Sequence, residues 1–247
     1  MRRIGAVFRS YSKTPEGVDE VVDRAVKSAR RAVQVSMLSR ILFMVSAEQD
    51  CGQTAKRLSV AVADEGIRAV VMEARGDPNS TMLNTAARLL LDDETPYALF
   101  LSNKAIEFLT EDLISRMMNE MRAKVRVVGV RIEDLADVAE MPIQNTFALW
   151  HIPSLIIAGG FDSKIGVEEV APIARIARRD GHSLLGWRRP VAMVVRPAEH
   201  TRLQIRISAE GRAHHAQVKS SKRERQEQEA ARLGVSLEWV NRHIVII

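Results

Sequence analysis

Two hydrophobic rhythms alternate along the first 130 residues. Short apolar runs at Arg3–Arg9, Ile41–Val45, Arg68–Glu73, Tyr97–Leu101 and Val125–Val130 have the length and side-chain types of buried strands. Between the first two, Val18, Val21, Val22, Ala25, Val26, Ala29 and Val33 recur at helical spacing within Glu16–Val35. The segments Gln53–Glu65, Ser80–Leu91 and Thr110–Ala123 also read as helices. The punctuation agrees. Gly66 closes the second helix, the turn Gly76-Asp77-Pro78-Asn79 precedes the third, and Thr110 caps the fourth with Glu111 and Asp112 in its first turn. Asp92-Asp93-Glu94 reads as the end of the third helix and a turn.

Unbroken apolar strands that alternate with helices predict an α/β fold with a mostly parallel sheet flanked by helices on both faces. Ligands in such sheets bind outside the carboxyl ends of the strands. The segments to inspect are therefore 9–15, 46–52, 73–80 and 102–107. Beyond residue 130 the rhythm loosens. Residues 131–165 show no clear period, Gly166–Arg179 reads as a helix, and Val191–Arg196 with Leu203–Ser208 reads as a pair of strands. Lys219–Leu233 is a charged helix, Ser236–His243 a short one, and Ile244–Ile247 is an apolar run suited to rejoin a sheet. There is no internal repeat. The expected division is a main domain over 1–210 and a basic helical extension over 211–247.

Composition narrows the partners. With 247 residues and 46% hydrophobic content the chain can bury a sizeable core, but 4% aromatic content argues against a surface that stacks many bases or sugars. The single cysteine, Cys51, rules out an internal disulfide and a cysteine zinc cluster. No apolar run reaches the ~18 residues of a membrane span, and the apolar run near the N-terminus is too short for a signal peptide. A soluble, cytoplasmic protein is expected. Charge is uneven: 21 basic against 24 acidic residues up to position 171, and 15 against 7 after it. A basic tail suits a solvated helix face, or phosphates, nucleic acid or an anionic membrane surface.

Several common chemistries lack their motifs. No G-x-G-x-x-G follows a strand, no G-x-x-x-x-G-K-[ST] phosphate loop occurs, and no G-x-S-x-G elbow is present. The pair His214-His215 has no third ligand at metal spacing.

One stretch carries a more specific pattern. Trp150, Leu155, Gly159-Gly160-Phe161-Asp162, Gly166 and Glu168-Glu169 fall in the order and approximate spacing of the acceptor loop and helix of glycosyltransferase family 2, and the chain resembles that family over about residues 3–185. The resemblance implies a GT-A-like, Rossmann-like sheet with a basic helical C-terminal extension. It implies a nucleotide-sugar donor, a glycan or other hydroxyl acceptor, and inversion in one displacement. By that resemblance Glu169 is the base that takes the acceptor proton and Glu168 its orienter. A sugar hydroxyl is a weak nucleophile, and a positioned carboxylate assists it by ~10²–10⁴-fold. The pair stands at a helix start, where the dipole is expected to favour the charged form. The acceptor site is expected at Trp150, Gly160 and Asp162. The stretch Arg175, Arg178, Arg179 before Gly181 resembles the family's Arg-rich segment.

On the donor side the resemblance assigns Arg9 to a phosphate, Tyr11 to a base, and Glu48 and Arg75 to the loops around the nucleotide. The chain departs from the family after the fourth strand. The Asp-any-Asp metal motif is replaced by Ser102-Asn103-Lys104. Lys104 then neutralises a diphosphate as a point charge, so no cofactor is called for and a divalent metal is not expected, although Mn2+ and Mg2+ stay open. The alternative is a GT-A-like protein that binds a nucleotide-sugar, glycan or protein partner without turnover. A third reading lies in the tail. Glu229–Arg242 resembles a helix-turn-helix, with Ala231, Gly234, Val235 and Val240 at turn and packing positions. Glu238 and Trp239 are unusual residues to face a groove, and nucleic acid is not the expected partner.

Overall fold

In the computed structural model, residues 3–76, 80–122, 125–130, 143, 145–162, 167–182, 188–195 and 209–247 are described. The elements follow in the order β1 (Ile4–Arg9), α1 (Val18–Val33), β2 (Leu38–Ser46), α2 (Thr54–Asp64), β3 (Val70–Ala74) and α3 (Thr81–Asp92). Then come β4 (Tyr97–Leu101), α4 (Glu111–Arg122), β5 (Val127–Val130), β6 (Phe147–His151), α5 (Ile152–Ile157) and α6 (Val170–Asp180). The chain closes with β7 (Ala192–Val195), α7 (Ala209–Arg232), α8 (Leu237–Asn241) and β8 (Ile244–Ile246). One eight-stranded sheet runs in the order β3-β2-β1-β4-β6-β5-β7-β8. Only β6 is antiparallel to its neighbours, with Leu101 opposite Phe147 on β4 and Val128 opposite Leu149 on β5.

The alternation of strand side chains sorts the core into two layers. On one face Phe8, Phe43, Leu99 and Val128 meet α1, α2 and α4. On the other, Val7, Phe100, Val127 and Trp150 meet α3, α5, α6 and the C-terminal helices. Helices thus cover both faces, as the continuous apolar strands predict. The α1 stripe works as read: Val18, Val22, Ala25, Ala29 and Ala32 are buried, while Val33 is exposed. The chain leaves α3 through Glu94, which adopts a left-handed φ of 53° in the acidic turn.

The structure corrects the region of lost rhythm. Residues 147–157 form β6 and α5, neither of which the sequence separated. Phe-Ala-Leu-Trp-His-Ile-Pro-Ser-Leu-Ile-Ile is one continuous apolar run, and period alone cannot divide a buried strand from a buried helix. Pro153 sits in the first turn of α5, where its missing N–H is not needed. The expected strand Leu203–Ser208 lies outside the described residues, as do Asp77-Pro78-Asn79 and Gly166.

The tail is woven into the same core. α7 packs on α6, Ala230, Leu237 and Val240 are buried in the α6 layer, and β8 pairs in parallel with β7. The Arg178 guanidinium donates to the Leu233 carbonyl. α8 spans five residues, starts on a Ser236 cap and turns Leu237 and Val240 inward. The second helix of the helix-turn-helix-like pattern is therefore committed to the core on that face. Among the described residues no helix is long and apolar enough to cross a membrane.

Candidate functional site

The sheet order reverses between β1 and β4, because β2 and β3 lie on one side of β1 and the later strands on the other. A crevice forms outside the carboxyl ends at such a point. Here β6, running backwards, brings its amino end to the same edge. The Ser102 N–H donates to the Thr146 carbonyl at 2.9 Å, and Ser10 N–H to the Met44 carbonyl at 2.9 Å. The crevice is therefore bordered by Arg9 and Ser10, by Ser102 and Asn103, and by Asn145 and Thr146.

The donor-side residues are spread along this edge. Arg9 ends β1 and its guanidinium lies 3.6 Å from Glu168. Tyr11 is half-buried in the next loop. Glu48 accepts a hydrogen bond from the Gly76 N–H at 2.6 Å, so it ties the loop after β2 to the loop that carries the exposed Arg75. Lys104 is exposed just beyond β4, in a 3-10 turn started by the Ser102 hydroxyl, which accepts from the Lys104 N–H at 3.3 Å. Asp50 is a residue the sequence left without a role. Its carboxylate accepts from the N–H groups of Ser12, Gly52 and Thr54 and from the Thr54 hydroxyl. Partial burial opposes its charge, but these bonds outweigh it and hold the group below the usual carboxylate range. Asp50 fixes the shape of this loop.

The residues expected on the acceptor side are linked by hydrogen bonds and ring contacts. Gly159 and Gly160 take left-handed φ values of 85° and 73°. A Cβ on Gly160 would stand 2.4 Å from the Asn84 side-chain oxygen. The close approach lets the Asn84 amide clasp Phe161 from both sides, accepting from its N–H and donating to its carbonyl, each at 2.8 Å. Phe161 then packs edge-on against Phe100 and Trp150, with centroids 5.2 and 5.1 Å away. Asp162 accepts from Arg175 at 2.7 Å and from Arg232 at 2.9 Å. The Arg232 bond, against some burial, is the main reason its carboxyl lies below the ordinary range. Gly160 and Asp162 thus shape the turn and dock α7 onto it. Trp150 is fully buried and its indole N–H donates to the Asn145 side-chain oxygen at 2.9 Å.

The two glutamates lie at the centre of this network. Glu169 precedes α6, is 4% exposed, and accepts from the Asn145 N–H at 2.8 Å. Glu168 is 5% exposed. Burial first, and the neighbouring Glu168 second, push the Glu169 carboxyl up to about 7, against the pull of Lys222 on α7 and the Asn145 N–H. This corrects the expectation that the helix start favours the charged form: the dipole acts, but burial in a low-dielectric site outweighs it. The arginines of α6 are structural. Arg175 bonds Asp162, Arg178 bonds the α7 end, and Arg179 pairs with Asp180.

Lys222, Glu229 and Arg232 join the site from α7. Nothing in the local sequence marks Lys222 and Arg232, because Glu169 and Asp162, on which they act, lie 53 and 70 residues away in the chain.

The topology decides the fold class: a reversal between β1 and β4, one antiparallel strand at the crevice, and helices on both faces. The fold is GT-A-like. Solved structures of nucleotide-sugar and nucleotidyl transferases share it. A mannosyltransferase from Pyrobaculum calidifontis, solved with GDP-Man and Mn2+, superposes with a TM-score of 0.64 at 16% identity, covering 98% of this chain and 69% of its own. A 4-diphosphocytidyl-2C-methyl-D-erythritol synthase from Anaerococcus prevotii gives 0.51 at 10% identity, covering 88% and 96%. No protein-family model matches the sequence, and no curated protein does.

The fold relatives raise the question of a divalent cation. At the end of β4 the side chains are Ser102, Asn103 and Lys104. A hard cation needs several oxygens, carboxylates above all, and an ammonium repels it. Among the described residues no group of three or more His, Cys, Asp or Glu side chains gathers as a metal site. The residues at this strand end do not fit a divalent ion.

Proposed function

We propose that this protein binds a nucleoside-diphospho-sugar in the β1/β4 crevice and transfers the sugar to a hydroxyl acceptor, with inversion and without a metal. The observation that carries the reading is the buried Glu168/Glu169 pair at the crevice, with Glu169 poised near neutral pH. A base works best when its pKa lies near the working pH, and strongly shifted carboxylates in a cleft mark functional sites. The mannosyltransferase that shares the fold was solved with its nucleotide-sugar, which supports the donor class.

In the step proposed, the acceptor oxygen forms a bond to the anomeric carbon from the face opposite the diphosphate. The bond from that carbon to the diphosphate oxygen breaks, and the nucleoside diphosphate leaves with the electron pair. Glu169 takes the hydroxyl proton. Glu168, 3.6 Å from the Arg9 guanidinium, stands beside Glu169 and helps to raise its pKa. Arg9 and Lys104 supply the positive charge that the departing diphosphate needs.

A second reading has its own support. With both glutamates almost fully covered, the site also suits a protein that binds a nucleotide-sugar without turnover. Calorimetric titration with a panel of nucleoside-diphospho-sugars, each with Mn2+ and with EDTA, addresses both. Binding that survives EDTA and weakens in Lys104→Ala supports the metal-free donor site. Turnover lost in Glu169→Gln supports the transferase, and binding with no turnover in the parent supports the binder. No binding under either condition overturns both.

A further inference from the structure

Asn145 presents a buried donor that nothing among the described residues meets. The residue is 3% exposed, and its side-chain Nδ2 has no hydrogen-bond partner there. The amide's orientation is set by chemistry. The indole of Trp150 only donates, so it must face the amide oxygen, Oδ1, at 2.9 Å. The Nδ2 group is thereby turned away from Trp150. The same residue's backbone N–H is bonded to the Glu169 carboxylate at 2.8 Å, so the unmet donor lies within one residue's reach of the proposed base. A buried N–H group is costly to leave unmet, and a site that tolerates it in the free protein has a bound oxygen to offer it later.

A second amide at the neighbouring strand end has the opposite polarity. Asn103 Nδ2 donates to the Ser10 hydroxyl at 2.9 Å and faces the Arg9 carbonyl at 3.4 Å. A carbonyl only accepts, so this amide too has one orientation. Its Oδ1 is buried without a partner among the described residues. The strand ends that carry the two amides are tied by the Ser102-to-Thr146 bond at 2.9 Å. One orphan group gives a hydrogen bond and the other accepts one. An ionised phosphate only accepts, whereas a hydroxyl does both.

We infer that Asn145 binds the acceptor: its Nδ2 holds the hydroxyl oxygen that faces Glu169, and Asn103 Oδ1 accepts from a hydroxyl of the same polyol. Trp150 is a positioning residue that locks the Asn145 amide. The inference rests on the transferase reading and adds to it two residues that would hold the acceptor, with neighbouring hydroxyls as the feature they select.

The test follows nucleoside diphosphate release from a panel of nucleoside-diphospho-sugars, alone and with glycerol or methyl glycosides added. Trp150→Phe and the double variant Asn145→Leu/Trp150→Phe are compared with the parent. The double change removes donor and acceptor of one buried bond together, so neither is left unmet, and its remaining cost is the indole volume lost from the core. Its Tm should fall by about 5–10 °C with the cooperative transition kept. The KM for the hydroxyl compound should rise about tenfold relative to the KM for the donor, the scale of one lost hydrogen bond. Trp150→Phe alone, which frees the amide to turn, should give a smaller rise in the same ratio, and it decides the matter if the double variant does not fold. An unchanged ratio in both variants overturns the role of Asn145 and leaves the transferase standing. No release from the parent with any donor and hydroxyl compound overturns the transferase reading, and this inference with it.

Discussion

The two borders of the crevice are built differently. On the acceptor side Asn84 bonds Phe161, Asn145 bonds Trp150 and Glu169, and Asp162 bonds Arg175, all at 2.7 to 2.9 Å, and most of these side chains are buried. On the donor side Glu48, Arg75 and Lys104 are exposed, and Arg9 lies 3.6 Å from its glutamate. The contrast follows from support. The acceptor side is backed by α3, α6 and α7, while the donor side stands on loops after β1, β2, β3 and β4. Preorganised groups are the ones that act on a developing charge or proton, whereas exposed cations steer and neutralise a diphosphate. Under the proposed function, the chemistry falls to the rigid wall and capture to the exposed one.

The largest break in this comparison is Glu169→Gln. Turnover in the release assay should fall by ~10²–10⁴-fold, while the fold persists, because the glutamine oxygen still accepts from Asn145.

Next in size is Arg232→Ala. It leaves Glu229, which is 2% exposed, without its guanidinium partner, and it also unties Asp162. Arg232 itself is 44% exposed, so the cost is that of leaving the buried Glu229 carboxylate without its donor, about 1–3 kcal/mol, which urea unfolding would detect. An unchanged unfolding midpoint would show that α7 does not hold the acceptor wall.

The third prediction concerns pH. The Glu169 carboxyl stands near 4.5 in the unfolded chain and about 7 in the fold. The folded state therefore holds the extra proton between those values. Its contribution is fully present below about pH 4.5 and is lost as pH rises through 7. The loss is at most about 3 kcal/mol by that shift. Glu169→Gln should flatten the fall and be the more stable protein at pH 8. Equal slopes in parent and variant would mean that Glu169 is not the group responsible.

The smallest effects belong to the donor wall. Lys104→Ala should weaken nucleoside-diphospho-sugar binding by about tenfold in low salt and less in high salt. Arg75→Ala should change stability by no more than about 0.5 kcal/mol. A larger loss from Arg75 would show the donor wall to be as rigid as the other.

Much of this architecture was legible in the sequence where one physical signal decides one element. The run Tyr97–Leu101 is a strand because every side chain in it is buried, and α1 is a helix because its apolar stripe has one core to face. The glutamate pair was singled out because Gly-Gly-Phe-Asp stands before it at short range. β6 and α5 were not separable, since they share one continuous apolar run whose period does not divide strand from helix. The roles of Arg232 and Lys222 depend on contacts across more than 50 residues, which no local pattern carries. The raised carboxyl of Glu169 was misjudged for a related reason. Its place at a helix start can be read from sequence, but the layer of α7 above it cannot.

The most direct measurement is a carbon NMR titration of the glutamate carboxyls, with Glu169→Gln used to assign the signal. The account predicts a midpoint for Glu169 near 7, set by burial and by Glu168. A midpoint near 4.5 would mean an ordinary ionised acid at a helix start, and the proposed transferase would be left without its base.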